Sequence, residues 1–231
     1  MIIWRFIDGK PGHENQTNGL IAALSQSLDV TVFDIPVNSL SSSPILLLQA
    51  FFRIKIKKFP TQQPNLIIGA GSKTHIPMVV ATSQHGGKSI VLMRPTIPMR
   101  LFDLVVAPLH DAIPQRSNVL ETNGVLNAVQ FLESKDQHQG LILIGGDSSH
   151  YKWSSKSIAS QIIEVVSSDR NTNWVLSTSR RTPEQFVKLV NDNINFSNLT
   201  FVPFEQTDQQ WMQDHFAKSG QIWTSPDSVS M

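Results

Sequence analysis

Residues 1–24 read MIIWRFIDGKPGHENQTNGLIAAL, and this stretch already contains the repeating unit of the fold. An apolar strand near residues 2–7 leads into a polar loop with two glycines, and the loop leads into a helix with apolar residues at helical spacing. Short β-branched runs and helical patterns alternate in this way along the whole chain. Such alternation is typical of βα units that build a parallel sheet. The sequence therefore predicts an α/β fold.

The βα units fall into two series. Expected strands lie near residues 2–7, 30–33, 65–68, 89–93, 104–107, 141–144, 174–177, 199–202 and 221–224, and expected helices near 14–27, 44–56, 74–83, 155–168, 183–190 and 208–216. A polar run, Glu133 to Gly140, separates the series and is predicted to be a linker. A length of 231 residues allows one large or two modest domains. We expect two Rossmann-like domains, at residues 1–139 and 140–231, the second incomplete because the chain ends where a further helix is expected to begin.

Composition excludes several function classes. Nineteen basic and 18 acidic residues give a net charge of +1, which argues against a protein held to nucleic acid by bulk charge. The absence of cysteine excludes disulfides and thiolate zinc sites. His13 and Glu14 do not form the metalloprotease pattern, since Thr17 stands at the second histidine position, and we expect no protein-bound metal. The N-terminus enters a strand without a preceding signal segment, which indicates a cytoplasmic protein.

The loop Asp8 to Gln16 is the densest polar segment of the first series. Loops at the carboxyl ends of parallel strands line the ligand crevice of an open α/β sheet, so we expect these side chains to face a cleft. A helix that begins here would favour an anion or a developing negative charge. The alternative is a solvent-exposed turn in which Asp8 or Asn15 caps the helix.

A second glycine-containing loop, Gly69 to His75, follows the third expected strand. Backbone N–H groups at a helix start could hold a phosphate or a sugar hydroxyl there, but Lys73 follows Ser72 rather than a glycine, so the loop is not a P-loop. An ordinary glycine-rich turn explains the sequence equally well.

In the second series, three loops follow successive strands: Gly145 to Ser149, Ser177 to Thr182 and Thr224 to Ser230. They combine paired glycines, hydroxyls and Arg180, which are the groups that bind phosphate. Because these loops would converge on one crevice, they predict an anionic ligand. The full dinucleotide fingerprint is absent, which disfavours an oxidoreductase. Ordinary helix capping with one surface arginine is the alternative.

The segment Pro44 to Lys58 joins an apolar block to a basic one. A peripheral contact with anionic lipid at the inner membrane face would involve Phe51, Phe52, Arg53, Lys55, Lys57 and Lys58. The apolar run is too short to span a bilayer. A core helix with a solvated basic end is the alternative.

Four motifs carry a family resemblance: DGKPGHENQ at 8–16, LIGG at 143–146, TSRRTP at 178–183 and SPDSVSM at 225–231. In this order they resemble the mitochondrial-fission "elongated mitochondria" family, whose bacterial members look like glycosyltransferases of the two-Rossmann glycosyltransferase-B type. Members usually continue past the last motif into a helix, and in related glycosyltransferases an acidic residue of that helix holds the donor ribose.

The resemblance implies a metal-independent transferase that moves a sugar from a nucleotide-diphospho-sugar to a lipid or cell-envelope glycan acceptor. It implies that the acceptor binds the first domain, the donor binds the second, and the reaction occurs in the cleft between them. The nucleotide sugar is then a substrate, and no cofactor is expected. A non-catalytic, glycosyltransferase-like adaptor at a membrane surface is the alternative that the fission members suggest.

Such a transfer needs a base for the acceptor hydroxyl and positive groups for the leaving diphosphate. His13 is the candidate base because its ordinary pKa of ~6.5 suits proton transfer near neutrality, with Glu14 or Asp8 as the fallback. The expected acceptor-side residues are Lys10, Gly12, Asn15, Gln16, Gly71, Ser72 and Thr74. The expected donor-binding residues are Gly145, Gly146, Ser179, Arg180, Asp227, Ser228 and Ser230.

Overall fold

The computed structural model describes residues 1–40, 43–52, 54, 56–128, 135–148, 152–193 and 195–225. The chain divides into two compact units, Met1–Ala128 and Val129–Met231, called unit 1 and unit 2 below. Paired strands run parallel in both units, which confirms the predicted α/β class with two parallel sheets.

Unit 1 contains a six-stranded sheet with the strand order β2-β1-β3-β4-β5-β6. Its strands are β1 (Ile2–Ile7), β2 (Thr31–Pro36), β3 (Leu66–Ala70), β4 (Lys88–Leu92), β5 (Leu104–Pro108) and β6 (Val119–Thr122). Its helices are α1 (Pro11–Ser25), α2 (Ser43–Phe51) and α3 (Ser72–His85), with 3-10 turns at Val37–Ser39, Met99–Leu101 and Leu109–Asp111.

Side chains alternate between the two faces of the unit 1 sheet and so form two apolar layers. Trp4 and Ile67 point to one face of the sheet, where Leu46 of α2 and Met78 of α3 cover them. Ala70, Leu92 and Val106 point to the other face, where Leu20 of α1 packs against them. Both faces are therefore covered, as a parallel sheet requires.

Unit 2 contains a four-stranded sheet with the order β10-β7-β8-β9. Its strands are β7 (Asp136–Leu143), β8 (Asn173–Ser177), β9 (Leu199–Val202) and β10 (Ser219–Thr224). Its helices are α4 (Ser155–Ser168), α5 (Glu184–Asn193) and α6 (Gln209–Lys218), with a 3-10 turn at Phe204–Gln206. The core of unit 2 joins Ile142 and Trp174 of the sheet to Ile162 of α4 and Phe186 of α5.

Several elements differ from the expectation. The predicted linker is a strand from Asp136 onward, because β7 pairs with β8 and β10 there even though its first side chains are exposed. Strand β6 was not predicted. Helix α1 begins at Pro11 rather than near Glu14, since the Lys10 carbonyl already accepts the N–H groups of His13 and Glu14.

Helix α2 is shorter than expected and ends at Phe51 rather than near Ile56. The N–H of Ile54 bonds the carbonyl of Gln49 at 2.8 Å, a wider turn that closes the helix. In the part of the chain that the structure describes, no helix combines the length and the apolar character needed to cross a membrane.

Candidate functional site

The strand order of unit 1 reverses at one place in the sheet, and such a place is where a ligand is expected to bind. From β1 the chain passes to β2 on one side, whereas β3 to β6 follow on the other side. Open α/β sheets bind ligands at the carboxyl ends of the strands where the order reverses. In unit 1 this point lies between β1 and β3, which is where the segments beginning at Asp8 and Gly71 leave the sheet.

Asp8 and His13 form a pair at this point. The Nδ1 atom of His13 lies 2.9 Å from Oδ2 of Asp8, and the Asp8 side chain is 1% exposed while that of His13 is 21% exposed. The other carboxylate oxygen of Asp8 accepts the Lys10 N–H at 3.2 Å. An ionised carboxylate only accepts hydrogen bonds, so in the neutral imidazole of His13 the proton lies on Nδ1 and the lone pair on Nε2. No described residue hydrogen-bonds Nε2 of His13.

Gly71 supports this pair from the neighbouring strand. Its φ of +89° is a conformation that side chains disfavour, and a Cβ atom placed there would overlap the His13 ring and lie 2.9 Å from Oδ2 of Asp8. The hydroxyl of Thr74 donates to the Gly71 carbonyl at 2.8 Å and fixes the turn. The glycine is therefore required by close packing between two predicted site segments.

The other predicted acceptor-side residues differ in exposure. Lys10, Gly12 and Ser72 are exposed, and Asn15 and Glu14 are half-buried on the first turns of α1. Gln16 is buried, and its amide donates to the Met93 sulfur at 3.2 Å. Thr74 is also fully buried. Gln16 and Thr74 thus hold neighbouring segments in place, whereas the exposed residues remain accessible to a ligand.

His75, the last residue of the loop Gly69 to His75, lies next to the site, although no role was predicted for its side chain. It is 2% exposed, and its Nδ1 accepts the Thr96 N–H at 3.3 Å. Burial, and secondarily the charge of His13, lowers the pKa of His75 to about 4. His75 is therefore neutral near pH 7. Its position directly after Thr74 in the glycine loop was the one signal that could have singled it out.

In unit 2 the paired glycines after β7 are explained by contacts within the protein. The N–H of Gly145 donates to the Ser225 hydroxyl at 2.8 Å, and both residues are buried. A Cβ atom at Gly146 would overlap the backbone carbonyl of Arg181. The Gly145 amide is thus already bonded rather than available to a diphosphate, and Gly146 is needed for close approach of its own chain.

The loop after β8 is organised by Thr182. Its hydroxyl donates to the Gly145 carbonyl and accepts the Ser179 N–H at 2.9 Å. The Ser179 hydroxyl in turn accepts the Arg181 N–H at 3.2 Å. Arg180 is exposed, with its guanidinium 5.3 Å from the ring centre of Phe204. These contacts hold the loop, and Arg180 is one of its exposed cations.

The remaining predicted donor residues, Asp227, Ser228 and Ser230, lie outside the described residues. A cavity of about 360 Å³ lies beside α4 and β10, with Ile142, Ile162 and Trp223 among its lining. Neither Ser179 nor Arg180 lines it. The loop of Ser179 and Arg180 is therefore separate from this largely apolar cavity, whereas Thr224 and Ser225, which begin the third predicted donor loop, line it.

The predicted membrane-contact segment carries exposed aromatic side chains. Phe51 and Phe52 are 80% and 62% exposed, with ring centres 5.2 Å apart. Lys57 and Lys58 are exposed, and Lys58 Nζ donates to the Ser39 carbonyl. Arg53 and Lys55 lie outside the described residues. Large apolar side chains are thus exposed along α2 and just after it, while Leu46 of the same helix is buried in the core, as the core-helix alternative requires.

Solved structures share this architecture. A candidate UDP-N-acetylglucosamine 2-epimerase from Listeria monocytogenes gives a TM-score of 0.60 at 12% identity, covering 99% of this chain and 74% of that chain. The E. coli heptosyltransferase WaaC with ADP gives a TM-score of 0.50 at 10% identity, covering 98% of this chain and 82% of that chain. The likeness establishes the fold, which is of the glycosyltransferase-B-like class, as predicted.

The family is established by sequence. The model of the family described as Mitochondrial fission ELM1 matches residues 11–231. The chain therefore belongs to the mitochondrial fission ELM1 family, which confirms the resemblance carried by the four motifs. A Rickettsia prowazekii relative, described as an uncharacterized protein, is 24% identical over 284 aligned residues, covering 100% of this chain and 79% of the relative.

Proposed function

We propose that this protein is a metal-independent glycosyltransferase that moves a sugar from a nucleotide-diphospho-sugar to a lipid or cell-envelope glycan acceptor. The observation that carries the proposal is the Asp8–His13 pair at the reversal point of the unit 1 sheet. Two proteins of similar structure support it, since one is a candidate UDP-N-acetylglucosamine 2-epimerase and the other a heptosyltransferase with ADP.

In the proposed reaction His13 is the general base. Its Nε2 takes the proton of an acceptor hydroxyl, the acceptor oxygen forms a bond to the sugar carbon, and the bond between that carbon and the diphosphate oxygen breaks. The nucleoside diphosphate leaves with the bonding electron pair. Asp8 is a positioning residue, because its buried carboxylate holds the His13 tautomer and stabilises the imidazolium that forms.

The diphosphate is proposed to bind unit 2 through Arg180. A guanidinium recognises phosphate by paired hydrogen bonds, and Arg180 is exposed on a loop that Thr182 holds in place. Ser179 contributes a hydroxyl beside it, and Asp227, Ser228 and Ser230 stay predicted donor contacts. Gly145 and Gly146 are assigned to the support of this loop.

The donor half of the proposal is tested by thermal unfolding with UDP, GDP, ADP and CMP. A nucleotide at 100 times its dissociation constant adds about 2.7 kcal/mol to the free energy of unfolding. We expect one nucleotide to stabilise the protein, Arg180→Gln to abolish the effect, and Arg170→Gln, another exposed arginine of unit 2, to retain it. Absence of any response in the folded protein would refute donor binding and favour the adaptor.

The catalytic half is tested with the sugar conjugate of the stabilising nucleotide, by following nucleoside diphosphate release in the presence of membrane lipids. His13→Ala is expected to lose the base and about 10²–10⁴ in rate. Asp8→Asn should lower the rate and change its pH profile, because an amide can hold either tautomer of His13. Unchanged turnover in His13→Ala would remove the base from this mechanism.

The adaptor remains the second candidate, and the exposed apolar residues of α2 and its C-terminal extension favour a membrane-facing role. They include Leu48 at 57%, Phe51 at 80% and Ile54 at 51% exposure. Lys57 and Lys58 lie beside them, so the surface is suited to an anionic bilayer in either candidate function.

Membrane contact is tested by co-sedimentation with vesicles of phosphatidylcholine and phosphatidylserine. Replacing Phe51 and Phe52 together by serine is expected to weaken binding by about tenfold or more, because each buried phenyl group contributes roughly 1.5–3 kcal/mol. Leu28→Ser is the matched control, since Leu28 is 47% exposed and lies outside this segment. Equal sedimentation of both variants would refute the contact.

A further inference from the structure

A second cavity, of about 330 Å³, lies in unit 1 and is lined by three arginines, Arg94, Arg100 and Arg116. They lie in the two connections that link β4 to β5 and β5 to β6. The arginines are up to 22 positions apart in the sequence (116 − 94), and the two connections bring them to the same cavity. Asp8, His13 and Gly71 do not line it.

The positive charge at this cavity is only partly compensated. In the described part of the chain the guanidinium groups of Arg100 and Arg116 have no hydrogen bond or ion pair. Arg94 Nη1 donates to the Asp111 carbonyl at 3.4 Å, and its backbone N–H donates to the Asp111 carboxylate at 3.0 Å. Asp111 is also 3.8 Å from His110. The Asp111 carboxylate is thus bonded to the Arg94 backbone, and no described carboxylate forms an ion pair with the three exposed guanidinium groups, whose charge an anionic ligand would compensate.

The walls of the cavity are rigid. Pro95, Pro98 and Pro114 line it, and each proline fixes its own φ angle. The side-chain amide of Asn118 donates to the carbonyls of Met99 and Phe102, both at 2.9 Å, and so holds the turn that carries Arg100. The backbone of the site therefore loses little conformational entropy when a ligand binds, whereas the exposed arginine side chains become ordered.

The same two connections contain unusual backbone conformations. Met93 has a φ of +68° and Ala112 a φ of +44°, and they are the non-glycine residues with positive φ in the part of the chain that the structure describes. Such conformations cost free energy and cluster at binding sites, where the surrounding structure maintains them. Each connection around the arginine cavity carries one of them.

We propose that the Arg94–Arg100–Arg116 cavity binds a ligand with a phosphomonoester or diphosphate group. Guanidinium groups match the oxygens of a phosphoryl group by paired hydrogen bonds, and three of them compensate a charge of more than one. The cavity volume lies at the lower end of the range of about 300–1,000 Å³ for small-ligand sites. This inference goes beyond sugar transfer and does not depend on it.

The site is tested by titrating the protein with inorganic pyrophosphate in a calorimeter, in an Arg180→Gln background that removes the other proposed phosphate site. We expect saturable binding that Arg100→Gln and Arg116→Gln each weaken by about tenfold, since a hydrogen bond to a charged group accounts for roughly that factor. Arg170→Gln, an exposed arginine of unit 2, should bind as the background does. Urea midpoints establish that each variant is folded.

Two results would overturn the proposal: no saturable binding in the background protein, or equal affinity in the Arg100→Gln, Arg116→Gln and Arg170→Gln variants. A second measurement separates the two sources of the phosphoryl group. Vesicles of phosphatidylcholine with phosphatidic acid are sedimented with a Phe51→Ser, Phe52→Ser protein, with and without the arginine substitutions. If the protein sediments with the vesicles only when Arg100 and Arg116 are present, and pyrophosphate displaces it, the ligand is a lipid headgroup. If the protein binds pyrophosphate but does not sediment with the vesicles, the ligand is a soluble phosphate ester.

Discussion

Replacing Gly71 by alanine tests the packing that supports the Asp8–His13 pair. A methyl group at Gly71 would occupy the space of the His13 ring and approach Asp8 Oδ2. Two costs are combined in this substitution: an alanine at a φ of +89°, and the displacement of the histidine. The two costs can be separated, because another glycine of the same unit has only the first.

Gly86 is that matched control. It ends α3 with a φ of +73°, and a Cβ atom placed there meets nothing within 4 Å. Gly86→Ala should therefore cost only the backbone strain, about 1–3 kcal/mol. Gly71→Ala should cost the same strain plus about 1–3 kcal/mol for forcing atoms into occupied space. The difference between the two variants isolates the contact with His13 and Asp8.

The assay is equilibrium unfolding in urea, with thermal unfolding as a second measure. For a chain of this length each kcal/mol shifts the midpoint temperature by about 2–4 °C. The ¹⁵N spectrum of the His13 ring gives an independent measure, because Nδ1 should lose its proton-donor character when the ring moves away from Asp8. Equal stability of the Gly71→Ala and Gly86→Ala variants, with an unchanged His13 signal, would refute the packing argument.

Three further predictions concern polar groups that are buried or half-buried. Burial lowers the pKa of His75 to about 4, so between pH ~6.5 and 4 the unfolded chain binds a proton that the folded chain does not. The contribution of His75 to the free energy of unfolding should therefore be complete above pH ~6.5 and fall by up to about 3 kcal/mol towards pH 4. Urea titrations at several pH values should show a shallower decline in His75→Gln, and an identical decline would contradict the assignment. Thr182→Val leaves the Gly145 carbonyl and the Ser179 N–H unpaired and should cost about 1–3 kcal/mol, whereas Thr182→Ser should keep most of the stability; equal urea midpoints for the two would disprove the role of the hydroxyl. The Asn198 amide donates to three backbone carbonyls at 3.1–3.3 Å, so Asn198→Asp, which cannot donate, should destabilise the protein as much as Asn198→Ala, and a wild-type urea midpoint for Asn198→Asp would count against this network.

The sequence predicted most of the sheet because its buried strands are apolar on both faces. Strand β3 is one such run, and its burial on two sides leaves a pattern that a loop does not produce. Strand β6 gave no such signal, since Val119–Thr122 is short and none of its residues is fully buried. The first half of β7 was taken for a linker because its polar side chains are exposed, although Asp136 pairs with Ser219 of β10 and Gln139 with Asn173 of β8.

The sequence predicted which residues form the candidate site better than it predicted the contacts between them. A dense polar loop after the first strand identified Asp8 and His13, but the contact of His13 with Gly71 depends on strands adjacent in space and 58 residues apart in the sequence (71 − 13). Paired glycines are equally compatible with a phosphate loop and with close packing of two backbone segments. At Gly146 the reason is packing, because the Arg181 backbone lies where a Cβ atom would be. Arginines in separate irregular connections leave no periodic pattern, so the cluster around Arg100 was not predictable.

The pairing of β10 with β7 has a consequence for the order in which unit 2 assembles during synthesis. Gly145 and its hydrogen-bond partner Ser225 are 80 residues apart, and β7 lies between β8 and β10 in the finished sheet. While the ribosome has released the chain only as far as β9, one edge of β7 is therefore unpaired and the Gly145 N–H lacks its partner. Contacts of such long sequence separation form late and slow folding. The nascent second unit thus exposes an open strand edge until the chain through Ser225 has emerged.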